Sequence, residues 1–303
     1  MNALSTEIED GGGIGLRERL ACYAELTKPR IAFLLVLTAA AGFYMAPSDG
    51  PADLVLFLHS MLGISLLAFG VAALNQFIER DTDALMERTA RRPLPTGKIS
   101  ARSAFVFGLA LCLLSEIYLF YFVNPLTALL GIVVIVGYVL MYTPLKLRTT
   151  ASTAIGAVPG AMPPLMGWTS ANDNLGDLVG ASVLFLILFL WQFPHFLAIA
   201  TMYRDEYAKA GIKMLPAVEE DGRITARQIV LFTILLIPIS VAPVFFGMAG
   251  IIFGFSAAAL GVWFLWASIK AARSRTVDSS RRLLLVSVLY LPVLFLLMVL
   301  DKS

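Results

Sequence analysis

The chain has 303 residues, of which 58% are hydrophobic and only 15% are charged, and its mean hydropathy is +0.81. This composition excludes a soluble globular domain and indicates a polytopic membrane protein. The formal net charge of +2 points to no nucleic-acid partner, and we expect none.

Residues 1–24 are predicted to form a cytoplasmic N-terminal segment, disordered at its tip, with a short interfacial helix near Leu16 to Leu26. Acidic residues and a run from Gly11 to Gly13 stand where a secretory signal needs an apolar core, so no signal peptide is expected. The two cysteines, Cys22 and Cys112, fall in different environments, one cytoplasmic and one in mid-membrane. We therefore expect neither a disulfide nor a thiolate metal site.

Residues 25–303 are predicted to form one all-α domain with nine transmembrane helices. Nine apolar stretches have the length that a helix needs to cross a bilayer. They lie at about 29–46, 54–78, 103–122, 125–142, 153–169, 178–203, 228–247, 250–269 and 283–300. With the N-terminus in the cytoplasm, every lysine and arginine except Lys302 falls on the cytoplasmic side, as the positive-inside rule predicts. The polar chemistry is therefore expected at the cytoplasmic face.

The end of the second span carries an unusually dense group of charges. Asn75, Glu79 and Asp83 recur every four residues, so on a continuous helix they share one face over about 12 Å. We call these three residues the oxygen ladder. Stacked oxygen ligands suit Mg²⁺, which is usually held by one or two carboxylates together with substrate phosphate oxygens. A solvated helix end with pairing between residues four apart is the alternative.

Basic residues follow the oxygen ladder, and two prolines follow with them. Pro93 and Pro95 are expected to end the helix. The basic residues are Arg88, Arg91, Arg92 and Lys98. Charge of this density favours a polyanion, a metal ion or both as the ligand.

Two other polar segments fall on the same predicted face. Tyr142 and Lys146 lie four residues apart at the end of the fourth span, where both could reach a phosphate. The connection after the sixth span carries Asp205, Glu206 and Lys209, a weak echo of the first charged segment. Two acidic helix ends facing each other could hold a diphosphate bridged by Mg²⁺, although ordinary positive-inside loops would look similar.

The fifth span is interrupted by glycine and proline and is expected to be kinked or broken. Irregular backbone at membrane depth is tolerated where it is buried in protein or lines a cavity. Close packing of helices through small residues is the competing explanation. In the sixth span, His195 follows Pro194 in the sequence WQFPHF; an ionisable side chain there either faces a functional interior or is a packing residue.

Taken together, these segments resemble the UbiA superfamily of intramembrane prenyltransferases, in the form found in its haem O-forming branch. The resemblance covers nearly the whole chain and rests on NQFIERDTD with MERTARRPLPTGK, LTKPRI, YTPLK, GAVPGAMPPLMGW, WQFPH and EYAKAGIKMLP. Gln76 and Glu79 replace aspartates of the general superfamily pattern and separate this branch from the quinone branches. The second acidic segment lacks the paired aspartates of the quinone enzymes, which leaves Asp205 or Glu206 as a further candidate metal ligand.

The resemblance implies an enzyme with nine helices around a central cavity that joins the farnesyl group of farnesyl diphosphate to a vinyl carbon of protohaem IX (haem b), with addition of water. It implies Mg²⁺ as cofactor and a bacterial inner-membrane location with the site toward the cytoplasm, among membrane lipid. A haem A synthase or an oxidase assembly protein is an expected partner. The implied roles are catalysis and metal binding by Asn75, Glu79 and Asp83, diphosphate binding by Arg88, Arg91, Arg92, Tyr142, Lys146 and Lys209, and acceptor binding by His195 and Trp191.

Three other functions are compatible with parts of the sequence. A prenyltransferase acting on a quinone precursor would share the mechanism, but NQFIE and WQFPH argue against it. A secondary transporter would need ionisable residues near the midplane and paired broken helices in corresponding halves, and this chain has one Gly/Pro-broken span. A structural assembly factor would have no use for the oxygen ladder.

Overall fold

The computed structural model describes residues 15–47, 53–173 and 178–303, and these fold into helices joined by turns, without a β-strand among them. The predicted disordered tip lies outside the described residues, whereas the predicted short helix is present. The helices, in chain order, are α1 Leu16–Leu26, α2 Pro29–Met45, α3 Leu54–Asp83, α4 Ala101–Phe122, α5 Pro125–Leu145, α6 Ser152–Gly160, α7 Met162–Ala171, α8 Val179–Met202, α9 Arg204–Lys209, α10 Leu215–Val218, α11 Arg223–Phe245, α12 Ile251–Ser274 and α13 Val277–Leu300.

The protein is an all-helical membrane protein, as predicted. Within the described ranges, seven helices are each long and apolar enough to cross a membrane, and α1 with α2, bent by 45°, form a further candidate span. The predicted count of nine requires α6 and α7 to be counted as one more broken span. That count, and the side of the membrane on which the N-terminus lies, stay predictions.

The long helices form a closed ring. Neighbours in the sequence pack against each other around it, and α13 packs on both α8 and α2, which brings the last helix back to the first span. Helix α2 approaches α7 so closely that a Cβ on Gly42 would lie 2.0 Å from the carbonyl oxygen of Pro164. Glycine permits this contact because it has no side chain to separate the two backbones.

The fifth predicted span is broken, as expected, between α6 and α7 at Ala161. Each of the two explanations for its many glycines and prolines applies to some of these residues. Gly156, Pro159, Gly160 and Pro163 line the interior cavity, whereas Gly167 packs against the backbone of α2.

One predicted boundary was wrong. Helix α3 ends at Asp83, well before Pro93 and Pro95, and residues 84–99 form a succession of turns. The turn that follows holds the end of the helix, because the hydroxyl of Thr89 donates to the carbonyl oxygen of Asp83 at 2.9 Å. Free carbonyls at a helix C-terminus need such partners. The prolines therefore lie in the connecting segment and do not end the helix.

Candidate active site

The oxygen ladder occupies the last turns of α3. Asn75 and Asp83 are buried, and Glu79 is largely buried, so the three side chains project from one face of α3 into the protein. The neighbouring Gln76 points elsewhere, because its amide nitrogen donates to the carbonyl oxygens of Glu25 and Leu26 at the end of α1. Gln76 thereby ties α1 to α3 and does not join the ladder.

Each member of the oxygen ladder is paired with a basic side chain from another part of the chain. Lys28 Nζ donates to Asn75 Oδ1 at 2.8 Å. Lys146 Nζ lies 2.6 Å from Glu79 Oε1, and Arg92 Nη1 lies 2.6 Å from Asp83 Oδ2. Residues from the α1–α2 junction, the end of α5 and the 84–99 turns therefore converge on one face of α3.

The end of α5 supplies Lys146 together with two tyrosines. A π-helical stretch, Val136–Tyr142, interrupts α5, and such bulges are frequent at functional sites. Tyr138 and Tyr142 have ring centroids 5.0 Å apart, and Lys146 Nζ lies 4.4 Å from the Tyr142 ring. Burial is the largest single influence and disfavours the charged ammonium, but Glu79 together with Tyr142 and Tyr138 outweighs it and holds the pKa of Lys146 well above its usual value. Lys146 therefore remains a cation in this site.

The connection between α8 and α11 approaches the 84–99 turns at Arg88. The backbone N–H of Arg88 donates to Glu206 Oε2 at 3.1 Å, and its guanidinium lies 4.6 Å from the Tyr203 ring. A further hydrogen bond of 3.3 Å joins Arg88 Nη2 to the hydroxyl of Tyr207. The two charged connections thus meet at the same end of the helix ring, with Glu206 as the residue of the second segment that makes the contact.

Other candidates from the sequence do not join this network. Arg91, Asp205 and Lys209 are exposed, and so is Arg88. No described contact places Arg91, Asp205 or Lys209 on the oxygen ladder.

An apolar cavity of about 330 Å³ opens beneath the charged network. Lys28, Tyr138 and Tyr142 lie at its polar end, and the other lining residues are mainly aliphatic and aromatic side chains from α2, α3, α6, α7, α8 and α13. The volume is within the usual range of about 300–1,000 Å³ for ligand pockets. Trp191 and His195 also line this cavity, so both predicted acceptor residues face the same space as Lys28.

Trp191 and His195 form a stacked pair on one face of α8. Their ring centroids are 4.5 Å apart with an interplanar angle of 23°. Both are bound by one residue of α13: Trp191 Nε1 donates to the carbonyl oxygen of Ser287 at 2.8 Å, and His195 Nδ1 lies 2.8 Å from Ser287 Oγ. The pair is therefore fixed by the neighbouring helix α13.

The oxygen ladder suits Mg²⁺ as part of a shared site. Glu79 and Asp83 supply carboxylate oxygens and Asn75 an amide oxygen, the hard ligands that this ion prefers. Within residues 15–47, 53–173 and 178–303, however, no cluster of three or more Asp, Glu, His or Cys side chains could hold a metal alone. The residues fit an ion held by two carboxylates together with the phosphate oxygens of a substrate.

Several residues of this site could not be assigned a role from the sequence. Lys28 lies in the segment LTKPRI, and its ammonium donates to Asn75 Oδ1. Thr143 accepts a hydrogen bond from the Asn75 amide at 3.2 Å, and the ring of Tyr138 packs against that of Tyr142 at an interplanar angle of 59°. Ser287 lies in an unremarkable apolar span, where a single serine gives no signal of function. The position of Lys28 at a helix break before Pro29 was the one usable hint.

Comparison with known proteins agrees with this architecture. The chain is 46% identical over 289 residues to a protein named protoheme IX farnesyltransferase from Solibacter usitatus, covering 92% of this chain and 98% of that protein. It is 44% identical over 279 residues to a protein of the same name from Salinibacter ruber, covering 92% of this chain and 98% of that protein.

Solved structures show the same fold at low sequence identity. A digeranylgeranylglyceryl phosphate synthase has a TM-score of 0.77 at 16% identity, with 94% of this chain and 98% of the other covered. A UbiA homologue from Archaeoglobus fulgidus bound to GPP and Mg²⁺ has a TM-score of 0.68 at 18% identity, with 92% and 99% covered. Residues 35–297 match the UbiA prenyltransferase family. Because this match spans most of the helix ring, the chain belongs to the UbiA prenyltransferase family.

Proposed function

We propose that this chain transfers the farnesyl group of farnesyl diphosphate to a vinyl carbon of protohaem IX, with addition of water, giving haem O and diphosphate. The observation that carries the proposal is that two chemically different groups of residues line the same cavity. Lys28, which bonds Asn75 of the oxygen ladder, lies at one end of the cavity, and the stacked Trp191–His195 pair lies on its apolar wall. The names of the relatives at 44–46% identity support the same acceptor and donor.

The basic cluster is proposed to bind the diphosphate. Lys146, Arg92 and Lys28 hold the oxygen ladder through hydrogen bonds of 2.6–2.8 Å. Diphosphate is a poor leaving group unless its growing negative charge is neutralised, and preorganised cations do this most effectively where water is scarce. When bound by Glu79, Asp83 and Asn75, Mg²⁺ would supply further neutralisation of the diphosphate.

Arg88 is proposed to close the site from outside. The rings of Tyr203 and Tyr207 and the carboxylate of Glu206 hold this arginine between the two charged connections. An arginine can bind two phosphate oxygens at once, which makes it a suitable contact for the outer phosphate.

The proposed reaction forms one carbon–carbon bond. The bond between C1 of the farnesyl group and the diphosphate oxygen breaks, and diphosphate leaves with the electron pair. The terminal vinyl carbon attacks the allylic cation, which creates a second cation at the carbon next to the porphyrin. Water adds there and loses a proton, leaving a hydroxyl group.

The cavity wall supports this sequence of events. Tyr138 and Tyr142 line the cavity near Lys28, where the allylic cation would form, and aromatic rings attract cations. The first cation must be kept from water, and the apolar lining from α2, α3 and α13 would exclude it. A farnesyl chain and a porphyrin are both apolar enough to enter such a chamber from the membrane.

His195 is proposed to contact the acceptor. Its ring is stacked on Trp191 and lines the cavity, so it could bind the haem iron or a porphyrin substituent. We further propose that the protein lies in a bacterial inner membrane with the charged end toward the cytoplasm, as its basic connections predict.

The test is conversion by the purified protein. Incubation with haem b, farnesyl diphosphate and Mg²⁺, followed by chromatography and mass spectrometry, should yield a pigment heavier by one farnesyl group and one hydroxyl group. A parallel reaction with a hydroxybenzoate as acceptor separates the main alternative. Prenylated hydroxybenzoate together with unchanged haem would assign the chain to the quinone branches.

A further inference from the structure

Ser287 of α13 is the residue that contacts both rings of the proposed acceptor pair. Its side chain is fully buried. Besides lying 2.8 Å from His195 Nδ1, its Oγ lies 2.7 Å from the carbonyl oxygen of Leu284, one turn earlier in the same helix. Its own carbonyl oxygen receives the Trp191 N–H at 2.8 Å.

The position of one proton follows from these contacts. A serine hydroxyl has a single hydrogen to donate, and the carbonyl of Leu284 can only accept. If the Ser287 hydrogen pointed at His195, two oxygens would face each other at 2.7 Å with no hydrogen between them. Both contacts are hydrogen bonds only when Ser287 donates to Leu284 and the Nδ1–H of His195 donates to Ser287.

We infer that Ser287 is a positioning residue that holds His195 in its Nδ1–H form, leaving the lone pair of Nε2 for the acceptor in the cavity. The inference rests on the proposed function for the identity of that acceptor, a metalloporphyrin. Neutral imidazole binds a metal through its unprotonated nitrogen, and the hydrogen bond at the other nitrogen decides which one that is. Within the described parts of the chain, no hydrogen bond occupies Nε2 of His195.

The arrangement also fixes the plane of the ring. Stacking on Trp191 sets the tilt of the imidazole, and Ser287 sets its rotation by holding both rings from α13. Free histidine favours the opposite form, with the proton on Nε2. A histidine without the serine would therefore present an N–H, which is not a ligand, to the cavity.

Which ring nitrogen of His195 carries the proton can be measured without haem and without an activity assay. The chain has two histidines, so a sample with ¹⁵N-labelled histidine gives signals from two rings, and His59→Gln assigns them. In the purified protein we expect His195 to be protonated at Nδ1 and unprotonated at Nε2. Ser287→Ala should move it toward the Nε2–H form, while His59, whose Nδ1 contacts Tyr118, keeps its signals.

Ser240→Ala is the matched control. Ser240 is also fully buried and bonds an aromatic partner, Tyr290, at 2.7 Å, but neither residue lines the cavity. This variant should leave the His195 signals unchanged. An Nε2–H form in the unmodified protein, or the same His195 signals in Ser287→Ala, would overturn the inference.

Haem titration completes the test. Ser287→Ala should bind haem about 10-fold to 100-fold more weakly than Ser240→Ala, with an altered iron–histidine stretching band in the ferrous state. Equal haem affinity and an equal band in the two variants would contradict the positioning role. If the unmodified protein neither binds haem nor makes haem O, the proposed function fails, and the nitrogen signals still decide the form of His195.

Discussion

The pair formed by Glu79 and Lys146 gives a sharp test of how the site is built. The two side chains are 14% and 17% exposed, and the charged atoms are 2.6 Å apart. At an effective dielectric constant of about 20, two unit charges at that distance attract each other by roughly 6 kcal/mol. Desolvation offsets part of this attraction, so the net contribution of the pair is smaller.

The two single variants and the double variant should separate stability from activity. Glu79→Gln or Lys146→Met leaves one buried charge without its partner, which costs about 3 kcal/mol in the free energy of unfolding. The double variant leaves neither charge and should be more stable, by about 2 kcal/mol, than the sum of the two single effects predicts. All three proteins should lack farnesyl transfer, because both groups are proposed to act on the diphosphate or its metal.

Reversible unfolding in mixed detergent micelles measures the coupling, and product chromatography measures activity. The pair of Glu18 and Lys98 is a matched control, since it has the same geometry at 2.7 Å but is 48% and 46% exposed. Its coupling should stay below about 1 kcal/mol. Additivity within about 0.5 kcal/mol for Glu79 and Lys146 would refute the pairing. Farnesyl transfer by the double variant would refute their role in catalysis.

Three further predictions concern the remaining groups. Asp83→Asn should lower turnover by about 100-fold or more, and chelation of divalent metal should abolish turnover reversibly; activity that survives both treatments would exclude the metal site. Arg88→Lys and Arg92→Lys should each raise the KM for farnesyl diphosphate by about 10-fold, or about 1.4 kcal/mol. Arg91→Lys, at an exposed position, should leave the KM unchanged. Identical farnesyl diphosphate titrations for all three variants would mean that these arginines only set the orientation of the protein in the membrane. His195→Ala should weaken haem binding by about 10-fold to 100-fold while farnesyl diphosphate binding stays unchanged; normal haem affinity in both His195→Ala and His195→Asn would make His195 a packing residue.

The long helices could be predicted from the sequence because each is a continuous apolar stretch. The predicted stretch at 54–78 became part of α3 Leu54–Asp83, and the stretch at 283–300 became part of α13 Val277–Leu300. Hydropathy detects the portion of a helix that lies in lipid. Helix ends extend into polar residues, so their boundaries depend on local capping bonds such as that between Thr89 and Asp83.

The common helix face of the oxygen ladder could also be predicted from the sequence, because residues four apart lie on the same face of a helix in any fold. The residues that bind the oxygen ladder could not be predicted in this way. Lys28 and Lys146 are 47 and 67 residues away from the residues that they bind. Such pairs depend on how the helices pack around the ring, and the spacing of residues within one helix carries no information about it.

The ion pairs of the oxygen ladder determine the net charge of the site. Two carboxylates face three cations, Lys28, Arg92 and Lys146, so the network has a small positive excess before any ligand binds. Diphosphate alone would bring its charge against Glu79 and Asp83, and a divalent cation alone would add to the positive excess. Together they offset each other, with the cation next to the carboxylates and the phosphate oxygens next to the bases. The charge distribution therefore favours entry of metal and diphosphate as a pair, which is the form in which Mg²⁺ is usually held with few protein ligands.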